Sequence, residues 1–246
     1  MLTTYFMYGW AVSPERLTVA TVTTIAFAAL AYALHAVNRS AAVAGGLACF
    51  ALFWGGGPGA FATLAALFLM TWATTRLGYR RKQELGLAER QEGRNARQVL
   101  ANLAVAGVGT VLFGLTENRV WMIAAIAALA EAATDTVASE IGQSRRQQAR
   151  LITTGHRVPA GTDGGITIVG TAAGLGAGIG IAAVAIGAGI LRPTEIWIPV
   201  ISGFVGMLAD SVLGATIQRR GWLSNEAVNF FSTLAAAALA YILSSA

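Results

Sequence analysis

Residues 131–174 read EAATDTVASEIGQSRRQQARLITTGHRVPAGTDGGITIVGTAAG, and this stretch decides how the chain is organised. It leaves an apolar segment carrying Glu131, Asp135 and Ser139, crosses an arginine-rich connection, and re-enters apolar sequence through the turn at 161–165. The three polar residues are four apart, so on a helix they share one face. Carboxylates at membrane depth are costly and indicate a functional site. The stretch therefore predicts a metal-dependent, phosphate-handling site at the cytoplasmic surface of a membrane.

The composition determines the structural class. Apolar residues make up 55% of the chain and charged residues 12%, and the mean hydropathy is +0.61. Soluble domains carry about a quarter charged residues. The apolar runs are long enough to cross a hydrocarbon core as helices, and none alternates like a membrane strand, so we expect an all-α polytopic membrane helix bundle with about seven to eight transmembrane helices. The single Cys49 excludes a disulfide framework.

The apolar runs and the turns between them predict the order of the spans. We expect one transmembrane domain over residues 1–246, with an interfacial segment at 1–16 rather than a cleaved signal peptide. A glycine-proline turn at 55–58 separates two of the N-terminal spans. The expected spans are 17–37, 41–54, 58–77, a helix beginning at 98, 119–138, 165–191, 196–217 and a last helix beginning at 225. In the sixth of these, glycines recur every fourth residue, which favours close helix packing.

The distribution of basic residues predicts which connections lie on the same side of the membrane. Most basic residues lie in three connections, at 78–97, 143–163 and 218–224, and two spans separate each connection from the next. All three connections therefore fall on one side, which the positive-inside rule makes cytoplasmic. Asp210 then lies roughly 21 Å from the outer end of its helix, at the depth of Asp135. Polar groups from four helices converge on one layer, and we expect a prokaryotic cytoplasmic membrane protein.

The chemistry of this layer favours phosphate and a divalent cation. Carboxylate and amide oxygens suit Mg²⁺, which commonly takes one or two carboxylates together with substrate phosphates. Arginine binds phosphate in a bidentate manner, and the turn at 161–165 is expected to open the following helix with free N–H groups that favour an anion. Two other classes stay open at this point. One is an ion-coupled transporter or lipid flippase, and the other is a metal-dependent prenyl or lipid transferase.

Several motifs also occur together in a recognisable order. They are Ala88-Glu89 with Gly93-Arg94, QVLAN at 98–102, DTVASEIG at 135–142, VPAGTDGG at 158–165, Gly203-Phe204, DSVLGAT at 210–216, and Asn225 with Asn229. Over residues 75–235 the chain resembles the integral-membrane family that includes plant phytyl-phosphate kinase and human transmembrane protein nineteen, long classified as a domain of unknown function.

The resemblance implies a kinase that converts an isoprenoid (phytyl or prenyl) monophosphate to the diphosphate, with CTP as the donor and Mg²⁺ as the cofactor. We assign metal and catalytic roles to Asp135 and Asp210, with Glu140 next and Glu131 last among the carboxylates. The binding roles go to Arg94, Arg145, Gly161, Thr162 and Gly164 for phosphates, and to Asn102, Asn225 and Asn229 for the nucleotide or head group. The implied partners are the isoprenoid monophosphate, the nucleotide and the lipid bilayer, with no nucleic acid.

Overall fold

A computed structural model describes residues 14–145 and 148–245, so most of the predicted interfacial segment at 1–16 lies outside the described residues. Within them, seven helices are long and apolar enough to cross a membrane, which confirms the predicted all-α membrane bundle. The long helices are α1 (Pro14–Ala33), α2 (Arg39–Arg76), α4 (Ala96–Thr116), α5 (Arg119–Ser144), α6 (Ile168–Gly187), α7 (Trp197–Thr216) and α8 (Asn225–Ser245), and the short α3 (Tyr79–Glu84) follows α2.

The longest helix, α2, turns back on itself at Gly57. This residue has φ 68° and ψ −164°, a backbone conformation that favours glycine. At the start of α2, the Asn38 amide donates to the Arg94 carbonyl (2.9 Å), and at its end Arg76 donates to the Leu34 carbonyl (2.7 Å). Both ends of α2 therefore lie at the same end of the bundle, and each half is about 27 Å long. Counting α2 twice, the seven helices make eight crossings, which agrees with the predicted break at 55–58.

The three basic connections lie together at one end of the bundle, which we call the basic end. Gly78 packs against Ser144, and Gly161 packs against Leu87, so the first two connections are in contact. The third joins them because Gln218 lines the same cavity as Gly161. The predicted convergence of the basic connections is thus confirmed, whereas the side of the membrane that they face stays a prediction.

Helix α5 forms the centre of the bundle. Every residue from 122 to 134 is buried, as expected for a helix that is apolar on all sides. Helix α6 packs closely along it because Gly170 faces the Ala138 carbonyl and Gly174 faces the Thr134 carbonyl with no side chain between them. The predicted packing role of the glycine stripe is confirmed.

A small antiparallel sheet in the central connection was not predicted. Its strands are β1 (Ala149–Leu151), β2 (Arg157–Val158) and β3 (Gly165–Ile166), in the order β2-β1-β3. Because β3 pairs with β1, helix α6 begins only at Ile168, where the Thr167 hydroxyl oxygen accepts from the Gly170 amide (3.0 Å). The expectation that the turn at 161–165 opens this helix was wrong.

Candidate functional site

A polar cavity of about 190 Å³ lies at the basic end between α5, α7 and the turn that precedes β3. Asp135 enters it from α5 and Asp210 from α7, so the structure places two carboxylates of different helices in one cavity. The predicted residues that also line this cavity are Gly161, Thr162, Gly164 and Asn225. The carboxylates and the glycine turn, far apart in sequence, therefore share one site.

Three carboxylates interact electrostatically at this site. Asp210 interacts with Asp135, and Glu131 interacts with both. Two groups stabilise Asp210 by hydrogen bonds to Oδ2: the Ser232 hydroxyl at 3.4 Å and, with its amide oriented to satisfy both of its atoms, Asn229 at 3.2 Å. Helix α8 thus orients Asp210 toward the cavity.

Of the two predicted arginines, Arg94 is the one whose charge acts on this layer. Its charge interacts with Asp135, and its Nε lies 3.8 Å from the Glu89 carboxylate. The loop that carries Arg94 is fixed because its backbone pairs with the connection between α1 and α2, where the Arg94 amide donates to the Ala36 carbonyl (3.0 Å). The backbone at Arg94 is therefore held in place independently of any ligand.

A second cavity, of about 490 Å³, lies on the other side of α5, between α1, both halves of α2, and α4. Its interior is apolar, and at the basic end its lining includes three arginines, Arg76, Arg90 and Arg94, against one carboxylate, Glu89. Helix α5 separates the two cavities: Asp135 lines the polar one and Thr136 the apolar one, since consecutive helical residues point about 100° apart. Asn102, predicted for the head group, also lines the apolar cavity.

Glu140 does not lie with the two aspartates, which corrects the prediction of a metal role. Its Oε2 accepts from Lys82 Nζ at 2.5 Å, and its Oε1 accepts from the Thr75 hydroxyl at 3.1 Å. Five residues beyond Asp135, it is rotated by about 140° around the helix. Glu140 therefore belongs to a buried ion pair rather than to the polar cavity.

Two further binding predictions need correction. Arg145 is exposed just beyond α5 and lines neither cavity. The Thr162 hydroxyl donates to the Pro159 carbonyl (2.8 Å), so in this conformation it shapes the turn rather than contacting a phosphate. Of the two predicted arginines, Arg94 lines a cavity, the apolar one, and Arg145 lines neither.

No pattern in the sequence predicts the apolar cavity. Its lining on α1 and α2 consists of ordinary apolar residues that any membrane span contains, so no pattern distinguishes them. Lys82 was also missed as a structural residue, although a signal was available: it is the only lysine in the chain. A lone lysine among many arginines in a basic connection indicates that a compact ammonium group is needed there.

The donor groups of the polar cavity fit Mg²⁺ that is shared with a substrate. Among the residues that the structure describes, no three His, Cys, Asp or Glu side chains are grouped so as to hold a metal ion by themselves. Asp135 and Asp210 nevertheless supply two carboxylates, and Mg²⁺ commonly binds one or two carboxylates plus phosphate oxygens and water. Glu131 Oε1 is buried without a hydrogen-bond partner in the described part of the chain, so a third carboxyl group lies beside that pair.

Known proteins are similar to this chain over most of its length. An uncharacterized membrane protein of Synechocystis sp. is 32% identical over 77% of this chain and 74% of its own length. An uncharacterized membrane protein of Methanocaldococcus jannaschii is 36% identical, over 70% of each chain. Protein VTE6, chloroplastic, of Arabidopsis thaliana is 31% identical over 70% of this chain, and the match spans 55% of that plant protein.

The family comparison agrees with the resemblance noted in the sequence. No solved structure matches the chain. The family described as integral membrane protein DUF92 matches residues 22–237, which extends the similarity from the predicted region at 75–235 to α2 and most of α1. The helices that line the apolar cavity are therefore part of the shared region, and the chain belongs to the integral membrane protein DUF92 family.

Proposed function

We propose that this protein is a membrane-embedded kinase acting on an isoprenoid monophosphate. The terminal phosphoryl group of a nucleoside triphosphate is transferred to a phosphate oxygen of the acceptor, which gives the isoprenoid diphosphate and the nucleoside diphosphate. Membership of the DUF92 family and the resemblance to plant phytyl-phosphate kinase support this reaction. The choice of CTP as the donor rests on that resemblance alone.

One observation carries the proposal: an apolar cavity with a cationic mouth adjoins a carboxylate-lined polar cavity at the same end of the bundle. The acceptor has an apolar tail and an anionic head, so its tail suits the first cavity and its head suits the mouth. The second cavity is polar and opens among the basic connections, which suits the phosphates of a nucleotide. Helix α5 separates the acceptor's apolar tail from the polar cavity, and the phosphates of the two substrates meet at the basic end.

On the acceptor side, Arg94 is the residue best placed to bind the monophosphate. It lines the mouth of the apolar cavity and interacts with Asp135 in the polar cavity. Guanidinium groups bind phosphate through paired hydrogen bonds. Arg76 and Arg90 line the same mouth and add positive charge that draws the head group toward the interface.

On the donor side, the turn at 161–165 presents its backbone to the polar cavity. Gly161 and Gly164 have φ values of 80° and 73°, a conformation that glycine adopts without strain. Turns of this kind expose amide groups that bind anions. Asn225 lines the same cavity and offers an amide to the nucleotide.

Asp135 and Asp210 would hold Mg²⁺ between the two substrates. The metal ion supplies neutralisation of the charge on the phosphates during transfer. Phosphoryl transfer requires mainly positioning and charge stabilisation, so the chain itself contributes Arg94 on the acceptor side and the glycine turn on the donor side. Ser232 and Asn229 keep Asp210 oriented from α8.

The basic end is proposed to face the cytoplasm of a prokaryotic cell. The positive-inside rule places arginine-rich connections there, and nucleoside triphosphates are present on that side. The polar cavity then opens toward its donor substrate, while the acceptor reaches the apolar cavity from the bilayer.

A direct assay tests the proposal. Purified protein in detergent is incubated with phytyl monophosphate, Mg²⁺ and each of the four nucleoside triphosphates, and the isoprenoid products are separated by mass. We expect the diphosphate with at least one nucleotide, and CTP to be the best donor. Absence of the diphosphate with every nucleotide contradicts the kinase. Movement of the monophosphate across vesicles without nucleotide would instead favour the transporter.

A further inference from the structure

We propose that Phe27 forms the floor of the apolar cavity and sets the longest isoprenoid chain that the protein accepts. This inference rests on the proposed function, because it takes the cavity to be the site of the isoprenoid tail. It adds a determinant of chain length that lies away from all the phosphate-handling residues.

Phe27 is at the end of the cavity farthest from its mouth. Helix α1 runs toward the basic end, and Phe27 is the first residue along it that lines the cavity. The returning half of α2 runs in the same direction, and its first lining residue is Leu64. On the first half of α2, which runs the opposite way, the last lining residue is Gly46. Phe27 contacts Phe61 and Phe68, on either side of Leu64, and Gly46 lies against Thr24 and Ala28, on either side of Phe27. The three segments therefore end the cavity at about one level.

Aromatic rings pack around this floor, with Phe68 in the cavity wall and Phe61 outside the lining. The Phe27 ring centroid lies 5.4 Å from that of Phe61 and 5.2 Å from that of Phe68, both in edge-to-face arrangements. Phe61 in turn lies 5.9 Å from Phe53, which is buried in the core. Edge-to-face ring pairs are favourable beyond the area that they bury. The stack therefore resists displacement by the end of a longer chain.

The depth of the cavity is limited compared with the membrane. From Leu64 at the floor to Arg76 at the mouth, the helical rise gives about 18 Å, whereas the hydrocarbon core is roughly 30 Å thick. An isoprenoid whose head group lies at the basic end must therefore have the end of its tail near the middle of the bundle. An isoprenoid that is too long has either to buckle within the cavity or to leave its head group outside the mouth.

Substitutions at the floor are predicted to move the length limit in opposite directions. Phe27→Ala removes the ring in front of Phe61 and lengthens the cavity. Gly46→Val is expected to shorten it, because a Cβ at Gly46 meets only Thr24 and Ala28 at ordinary van der Waals distances of 3.7 and 3.8 Å, and the two further methyl groups of valine then take up cavity space. Phe231→Ala is the matched control, since that ring pairs with Phe230 on α8 and lines neither cavity.

The test compares geranyl, farnesyl, geranylgeranyl and solanesyl monophosphates by kcat/KM in all four proteins. For the shortest chain that the wild type rejects, we expect Phe27→Ala to raise kcat/KM by roughly tenfold or more. Gly46→Val should lower it by a similar factor for the longest chain that the wild type accepts. Phe231→Ala should leave the profile unchanged. An unchanged profile in both floor variants of an active protein overturns the inference.

A second readout separates this inference from the proposed function. A bound isoprenoid monophosphate stabilises the folded protein, so thermal unfolding without nucleotide measures which chain lengths bind. If the length limit shifts in this assay but no diphosphate forms, Phe27 does set the chain length and the proposed kinase activity is wrong. If the diphosphate forms but the limit does not shift in either assay, the proposed kinase activity is supported and Phe27 does not set the chain length.

Discussion

Lys82 Nζ lies 2.5 Å from Glu140 Oε2, and this ion pair ties the connection after α2 to the centre of the bundle. Nζ also donates to the carbonyls of Thr74 (3.2 Å) and Thr75 (2.6 Å) in the last turn of α2. The Lys82 side chain is 1% exposed, and its three protons are matched by three acceptors. The pair therefore holds α2, α3 and α5 together beside both cavities.

We predict that Lys82→Met strongly destabilises the protein. Breaking a buried pair by removing one partner costs about 3–5 kcal/mol, since the remaining charge is left uncompensated. Thermal unfolding in detergent measures the loss, with Arg80→Met on the exposed face of α3 as the control. The double variant Lys82→Met with Glu140→Gln should recover part of the stability. Equal unfolding midpoints for Lys82→Met and Arg80→Met would show that the pair is not structural.

Arg94 is predicted to bind the acceptor phosphate, whereas Arg145 is not. Arg94→Ala should raise KM for the isoprenoid monophosphate by roughly 10- to 100-fold, because a charge-assisted hydrogen bond is lost. Arg145→Ala and Arg192→Ala should change it by less than about twofold, since surface charges away from a site contribute little. Steady-state kinetics with varied acceptor measures all three. Similar effects of the three substitutions would indicate general charge rather than a site.

Gly164 is predicted to be needed for the donor cavity. Its φ is 73°, and an added Cβ would run into Ala215 on α7, so Gly164→Ala must separate the turn from the helix. Gly155→Ala is the matched control because Gly155 has a similar φ of 70° with nothing within 4 Å. Isothermal titration should show weaker nucleotide binding for Gly164→Ala only, with acceptor binding retained. If both variants lost nucleotide affinity equally, backbone strain alone would explain the effect.

The predicted topology can be tested without an enzyme assay. In a Cys49→Ser background, single cysteines at Gln91 and His156 should be labelled from the same side of the membrane, and a cysteine at Glu117 from the other. Gln91 and His156 lie in connections at the basic end, and Glu117 follows α4, which starts at that end. In right-side-out vesicles, a membrane-impermeant maleimide should label only Glu117→Cys. Labelling of Gln91→Cys from outside contradicts a cytoplasmic basic end.

The sequence was most informative at residues that cost free energy in a membrane helix, either as a buried charge or as a break in the helix. Asp135 and Asp210 were found because carboxylates are rare at membrane depth, and the structure does place them in one cavity. The break in α2 was found because glycine and proline interrupt helices. Both signals come from the residue itself and do not depend on a distant partner.

The features that sequence reasoning missed depend on distant partners or on shape. Glu140 carries the same charge as Asp135, and nothing near it in sequence shows that Lys82 occupies its carboxylate. Phe27 and Leu64 look like any residues of a membrane span, and only the folded bundle shows that they bound a cavity. The strands of the central sheet are too short to produce an alternating pattern, so the start of α6 was placed too early.

The central claim is that Asp135 and Asp210 act together in metal-dependent phosphoryl transfer. They come from different helices, interact electrostatically and line one cavity. Asp135→Asn and Asp210→Asn should each keep the fold, because asparagine has nearly the same shape and removes like-charge repulsion. Glu226→Gln on α8 lines neither cavity and serves as the control.

The most direct test is the rate of isoprenoid diphosphate formation by these variants at saturating Mg²⁺ and nucleotide, with folding checked by thermal unfolding. We predict that Asp135→Asn and Asp210→Asn each lower kcat by roughly 100-fold or more, while Glu226→Gln retains the wild-type rate. Near-normal turnover by both folded aspartate variants would contradict the account, because the two carboxylates would then be structural and the metal would have to be held elsewhere.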